Sequence, residues 1–313
     1  MKEKIHEPFL LSPAAKDYLW GGNRLNEQFG KNIAMSPLAE TWECSAHPDG
    51  QSVVRTGEFA GLGLGTLLRE HPGMLGSKYE KTGELPVLIK FIDAKKDLSV
   101  QVHPSDEYAE KYENGQNGKT EMWYVVDADE NSQLVCGLTG RIGAAEFRAK
   151  AENGTLEDCL NRVSVKKGDS FFITPGTVHA IGAGLLIAEI QENSNLTYRI
   201  YDYNRTDRNG NKRPLHLDRA LDVAVLEPYV SAGRNGGSGV ICSCDYFTVD
   251  RIDLTGVDFR ICVDGSSFQV LLCIGGEGDA DGLHFSKGDC MFIPAGDRTV
   301  VISGSAAILR TVC

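Results

Sequence analysis

From about Lys90 onward the chain alternates short apolar runs with glycine and turn residues. The runs read PVLIKFIDA, LSVQVH, EMWYVVDA, QLVCGL, SFFITP, LLIAEIQE and TYRIYDY, then YFTVDRIDL, FQVLLCIGG, CMFIPAG, TVVISG and AAILRTV. So many short strands separated by turns predict a mainly β protein of sandwich, barrel or jelly-roll type. Helical patterning is confined to a few places. SDEYAEKYE starts on Ser105, a capping hydroxyl followed by acidic residues in the first turn. Ala144–Ala151 and Leu156–Val163 read as two short helices, broken at Asn153-Gly154, with Thr155 as N-cap of the second. These helices are expected to flank the sheets.

One hairpin pattern occurs twice. Gly168-Asp169 and Gly288-Asp289 each open a strand of large apolar residues that closes on a second glycine, Gly176 and Gly296. Three residues further on stand His179 in the first copy and Thr299 in the second. Laid over TEMWYVVDA, SFQVLLCIGG puts Phe268 opposite Glu121. The pattern predicts a duplicated β-barrel in which only the first copy carries polar ligands. The glycine-rich stretch Ser231–Gly239 marks the boundary, giving a catalytic domain over residues 1–230 and a degenerate, structural domain over 231–313.

The chemistry concentrates on Gln101, His103, Glu121 and His179. Gln101 and His103 are two apart in a strand-like segment, so their side chains leave the same face. Two neutral imidazoles, a carboxylate and an amide oxygen suit a divalent metal ion, and an open coordination position would make the site catalytic. Such a donor set does not choose between zinc, manganese, iron and cobalt by softness. Lys119 lies two residues before Glu121 and faces the same side.

Charge and composition narrow the partners. With 43 acidic against 32 basic side chains, the net charge of −11 disfavours nucleic acid. A few arginines and lysines can still hold a phosphate locally. The N-terminus lacks an apolar leader, and nowhere does the chain approach the ~18 apolar residues of a membrane span, which leads to a cytoplasmic expectation with no membrane partner. Nine cysteines without a C-x-x-C pair read as reduced thiols. Asp127-Ala128-Asp129 imitates an EF-hand opening, but Ser132 replaces the turn glycine and Leu138 the bidentate glutamate. Gly61-Leu62-Gly63 has the wrong spacing for a dinucleotide fingerprint. A monomer is the default.

Gly168-Asp169 with Gly176 and His179 resembles the second motif of the cupin fold, and beyond it Tyr18-Leu19-Trp20-Gly21, Ala39-Glu40-Thr41-Trp42, Leu85–Lys90, Leu98–Pro104, Lys119–Tyr124, Pro175–Ala180 and Arg199 follow one another in an order that resembles the type I mannose-6-phosphate isomerases, the short bacterial class above all. The resemblance covers roughly residues 10 to 210. It implies two cupin barrels and a zinc-dependent interconversion of mannose 6-phosphate and fructose 6-phosphate, with one zinc per chain on Gln101, His103, Glu121 and His179. It further implies Arg199 and Lys119 as catalytic residues and Trp20, Glu40, Ser99 and Arg205 as substrate contacts. The chain lacks the long helical insertion of larger family members. Moving a proton between C2 and C1 through an enediol needs a carbonyl polariser, a base and a phosphate clamp. Arg199 suits the clamp or the enediolate. The base stays open among Lys119, Glu189, Asp202 and a metal-bound water. On the same fold, a non-catalytic sugar-phosphate sensor and an iron-dependent oxygenase are the rival readings.

Overall fold

The computed structural model describes residues 7–206, 209–229 and 237–313. His6, most of the glycine-rich stretch and the expected boundary at 230/231 lie outside the described residues. In chain order the strands begin with β1 (Phe9–Ser12), β2 (Ala14–Lys16), β3 (Glu40–Cys44), β4 (Val53–Val54) and β5 (Val87–Ala94). There follow β6 (Val100–Val102), β7 (Glu121–Ala128), β8 (Gln133–Leu138), β9 (Leu160–Ser164), β10 (Ser170–Ile173), β11 (His179–Ile181), β12 (Leu185–Glu192) and β13 (Tyr198–Tyr201). The C-terminal part adds β14 (Gly239–Ser243), β15 (Thr248–Thr255), β16 (Phe259–Val263), β17 (Gln269–Ala280), β18 (Leu283–Ser286), β19 (Cys290–Ile293) and β20 (Arg298–Val312). The helices are α1 (Arg24–Phe29), α2 (Leu64–Glu70), α3 (Asp106–Tyr112), α4 (Ala144–Asn153) and α5 (Leu217–Val223). Among the described residues no helix is long and apolar enough to cross a membrane.

The chain divides into two compact units. One holds Met1–Lys16, Asn23–Phe91 and Asn235–Cys313; the other holds Asp17–Gly22 and Ile92–Arg234. Residues 235–313 thus share a unit with N-terminal segments, whereas the sequence pattern suggested a division into 1–230 and 231–313. The fold is mainly β, as expected, but the ladders form open sheets instead of closed barrels. Closure would require the two edge strands of a sheet to pair with each other. In the second unit the five-stranded sheet runs β13-β6-β11-β8-β9, and the β13 edge is taken up by the start of α5.

In the first unit a nine-stranded sheet runs β14-β15-β20-β17-β19-β1-β4, with β16 on β20 and β18 on β17. TVVISG and AAILRTV, which read as two strands, are one, because β20 carries its ladder through Gly304 against β17. Leu10, Ile252, Leu271, Phe285, Met291 and Ile308 fill its core.

In the second unit, strand alternation positions the site. Val100 and Val102, Val178 and Ala180, and Tyr198 and Ile200 join one apolar cluster with Phe147 and Ala151 of α4 and Ala220 of α5. The residues between them, Gln101, His179 and Arg199, therefore leave the opposite face of the sheet. Ser105 caps α3 as expected, accepting from the Tyr108 N–H at 3.4 Å. Helix α4 ends on Gly154 in the left-handed conformation. The expected helix over Leu156–Val163 is instead one 3-10 turn, Leu156–Cys159, running into β9. The Thr155 hydroxyl bonds Asn153 Oδ1 and does not cap that turn, while Val163 pairs with Leu134 of β8, so tertiary pairing overrides the local helical pattern.

The duplicated turn is real to the atom. The Gly168 N–H donates to Val125 O and the Gly288 N–H to Cys273 O, both at 2.8 Å. Asp169 Oδ2 accepts from the Lys166 N–H at 3.0 Å, and Asp289 Oδ2 from the Ser286 N–H at 2.9 Å. The ladders correct one correspondence. Ile173 pairs with Glu121 and Ile293 with Gln269, so the counterpart of Glu121 is Gln269 and not Phe268. Likewise His179 pairs with Gln101 and Thr299 with Cys262. The Gly176 N–H donates to His103 O and the Gly296 N–H to Asp264 O, both at 2.9 Å. The first unit thus carries Cys262, Asp264, Gln269 and Thr299 where the second carries Gln101, His103, Glu121 and His179. Cys262, Asp264 and Thr299 are exposed, so this copy encloses no ligand set.

Candidate active site

His103, Glu121 and His179 are buried together, their donor atoms within 4.8 Å of one another, and this group could hold a metal ion. Glu121 opens β7, His179 opens β11 and His103 directly follows β6, so the cluster joins residues of two sheets. Glu121 Oε2 lies 3.6 Å from His103 Nε2 and Oε1 3.4 Å from His179 Nε2. Each imidazole is oriented from behind. His103 Nδ1 bonds Leu196 O at 2.8 Å and His179 Nδ1 bonds Thr177 O at 2.9 Å. A carbonyl at Nδ1 requires the proton there, which leaves the Nε2 lone pair facing Glu121 for a metal. Burial pushes the His179 pKa down to about 4, with the Lys119 charge acting in the same direction, so the ring is neutral and ligand-ready at physiological pH.

Gln101 belongs with this group. Its Nε2 lies 3.3 Å from His179 Nε2, and a half-turn of the amide presents Oε1 there instead. Gln101 also lies between two candidate site residues in the ladder, paired with His179 on β11 and with Arg199 on β13. Adjacent strands lie about 4.8 Å apart, so Arg199, Gln101 and His179 form one row on one face. Arg199 Nη1 donates to Pro214 O at 3.0 Å, while its buried Nε has no hydrogen-bond partner among the described residues. Burial and the neighbouring Arg213 lower its pKa, opposed by Asp202.

Lys119 is 4% exposed, with Nζ 3.1 Å from Glu121 Oε2 and 3.9 Å from Glu189 Oε1. Glu189 accepts from Trp123 Nε1 at 2.8 Å, and the Trp123 ring meets His179 edge-on at 5.3 Å. Trp20 and Arg205 line a separate cleft of about 360 Å³ in the same unit, along with Tyr18, Lys96, Asp202 and Arg213. The metal-cluster residues are not among its lining. Arg199 links the two, since it pairs with Gln101 in the ladder and feels the charges of Arg213, Asp202 and Arg205. Ser99 is buried two residues before Gln101 on the same segment. Glu40 belongs to the first unit, where it accepts from Trp42 Nε1 at 2.8 Å and lies 3.9 Å from Lys90 Nζ.

Asp202, one of the candidate bases, is engaged otherwise. Arg213 reaches it with Nε at 2.8 Å and Nη2 at 2.6 Å, and Arg205 binds it with Nε at 3.2 Å and with Nη2. Although burial alone would raise it, these bonds hold its carboxyl below the ordinary value. The pattern of apolar runs also gave no notice of Lys96, Arg213 or Gln191. Gln191 pairs with Glu121 across β12 and β7, and its buried Oε1 is unpartnered among the described residues. The only signal was the crowding of Arg205, Lys212 and Arg213 after β13.

Comparison with known proteins places the chain in a family. The family profile described as phosphomannose isomerase type I, catalytic domain, matches residues 9–150, and that for the mannose-6-phosphate isomerase cupin domain matches 239–313. Mannose-6-phosphate isomerase ManA of Bacillus subtilis is 36% identical over 311 residues, 96% of this chain and 97% of that protein. The mannose-6-phosphate isomerase of Streptococcus mutans is 38% identical over 256 residues, 80% of each chain. A solved mannose 6-phosphate isomerase of Bacillus subtilis superposes with a TM-score of 0.87 at 34% identity, covering 97% of this chain and 99% of that one. A mannose 6-phosphate isomerase solved with zinc bound shares the fold, with a TM-score of 0.75 at 19% identity over 97% and 98% of the two chains. Both halves of the chain match one family, and the chain accordingly belongs to the type I phosphomannose isomerases and is an enzyme of the mannose-6-phosphate isomerase kind.

Proposed function

We propose that the chain interconverts mannose 6-phosphate and fructose 6-phosphate through an enediol, with one zinc ion on Gln101, His103, Glu121 and His179. The observation that carries this reading is the row Arg199, Gln101, His179 beside the Lys119–Glu121 pair, which sets two cationic side chains against one metal-ligand cluster. The donor set fits zinc: two Nε2 lone pairs, one carboxylate and one amide oxygen leave a position open for substrate. Bound there, zinc would polarise the C1 carbonyl or adjacent hydroxyl. The Lys119 and Arg199 side chains stabilise negative charge on the enediolate, Arg199 through the unpartnered Nε. Trp20 and Arg205, with Ser99 as a further contact, bind the substrate, and the cleft holding Arg205 and Lys96 takes the phosphate. Asp202 serves as an anchor for the two arginines and not as the base. The protein acts in the cytoplasm as a monomer.

The test is a coupled assay of the zinc-replete protein with mannose 6-phosphate and fructose 6-phosphate, set beside neighbouring hexose phosphates. Turnover that disappears on chelation and returns with zinc is expected. A zinc-replete protein that leaves mannose 6-phosphate unconverted refutes the reading, and uptake of sugar phosphate without turnover would point to a sensor.

A further inference from the structure

Strand β13 is the edge of the five-stranded sheet, with β6 on one side. Edge backbone groups need partners, and those of Arg199 are met by a single residue from another element. The His216 backbone N–H donates to Arg199 O at 2.8 Å, and the Arg199 N–H donates to His216 Nδ1 at 3.1 Å. The imidazole stands where the carbonyl of a further strand would stand. His216 is itself anchored, because its carbonyl accepts the Ala220 N–H at 2.8 Å as α5 begins, and its ring also bonds the backbone of Thr197. Two residues earlier, Pro214 O receives Arg199 Nη1 at 3.0 Å. Backbone and guanidinium of Arg199 are therefore both held by the segment Pro214–His216. Gln101 lies opposite Arg199 in the ladder.

We propose that His216 is a positioning residue, whose Nδ1 and backbone N–H fix Arg199 in the row with Gln101 and His179; this rests on the catalytic role given to Arg199 above. An alanine at 216 keeps the backbone bond but leaves the Arg199 N–H without its acceptor, so the edge strand loosens and the guanidinium drifts from the reacting oxygens. Small displacements of such groups are costly to rate. Asparagine offers Oδ1 near the place of Nδ1 and restores the acceptor.

The test measures kcat/KM for mannose 6-phosphate with the full-length, zinc-replete protein carrying His216→Ala, His216→Asn, Arg199→Ala, or Arg199→Ala with His216→Ala. His216→Ala is expected to lose about tenfold and His216→Asn to stay within about threefold of the unmodified chain. With Arg199 already removed, His216→Ala is expected to cost less than about twofold, since residues acting through one another are not additive. The same tenfold loss in both backgrounds, or equal losses for alanine and asparagine, overturns the proposal. If Arg199→Ala alone leaves the rate unchanged, the catalytic role of Arg199 falls first and the positioning role falls with it.

Discussion

Asp202→Asn separates an anchor from a base. The carboxylate is 7% exposed and receives four hydrogen bonds from two guanidiniums that are themselves 24% and 30% exposed. Asparagine keeps one acceptor oxygen but turns an NH2 toward an arginine donor, losing at least one bond outright and the charge assistance of the rest. Charge-assisted bonds are worth about 1.5–3 kcal/mol each, and partial exposure of the arginines puts the expected loss at about 2 kcal/mol in urea denaturation. The unmodified carboxyl titrates below its ordinary value of 3.8. Its stabilisation is therefore complete above pH 3.8 and disappears as pH falls through the lowered folded value, a drop the variant lacks. Kinetics give the decisive reading. Removing a general base costs about 10²–10⁴ in rate, whereas loss of an anchor should leave kcat within about tenfold and act mainly on KM through Arg205. An undiminished stability combined with a kcat more than a hundredfold down would refute the anchor assignment and return Asp202 to the chemistry.

Three further outcomes follow from the second unit. Saturating zinc should raise the denaturation free energy of the unmodified chain by about 2.7 kcal/mol at a hundredfold excess over Kd, and His179→Ala should abolish both this rise and zinc retention by elemental analysis; equal retention would count against the ligand assignment. Glu192, buried and interacting with Asp106, has its pKa raised to about 7 from 4.5, so its contribution to stability is complete below pH 4.5 and gone above about pH 7. Glu192→Gln should flatten urea-unfolding profiles across that window, and unchanged profiles would argue against the desolvation of Glu192 beside Asp106. Gly182→Ala places a Cβ against the Gln133 carbonyl oxygen, backbone that has no room to retreat, and should cost about 1–3 kcal/mol; a thermal melt with no loss would contradict the close approach of β11 and β8.

Much of the site was legible because strands write their faces into sequence. Gln101 and His103 are two apart, as are Lys119 and Glu121, and alternation alone sends each pair to one side. What alternation cannot register is which strands meet. The opposition of Arg199 to Gln101, ninety-eight positions away in the chain, appears only in the ladder. Register is equally invisible: the string comparison that set Phe268 against Glu121 was off by one residue, and in a strand one residue means the other face. Leu156–Val163 misled because its polar spacing suits a helix while β8 offered it a ladder. The role of His216 had no sequence signal, since an imidazole that completes a sheet edge carries no motif.

The paired turns at Gly168-Asp169 and Gly288-Asp289 bear on how the candidate metal site is assembled. The two have the same internal bonds to within about a tenth of an ångström, yet only one of them leads to a histidine that faces a ligand cluster. The turn that delivers His179 is thus a piece of self-sufficient architecture, formed equally well where there is nothing to coordinate. A site presented by such a scaffold stands ready before its ion arrives, unlike small zinc modules in which metal capture and folding are one event. An ion held on these residues should therefore enter and leave the protein as a guest, with the chain folded throughout.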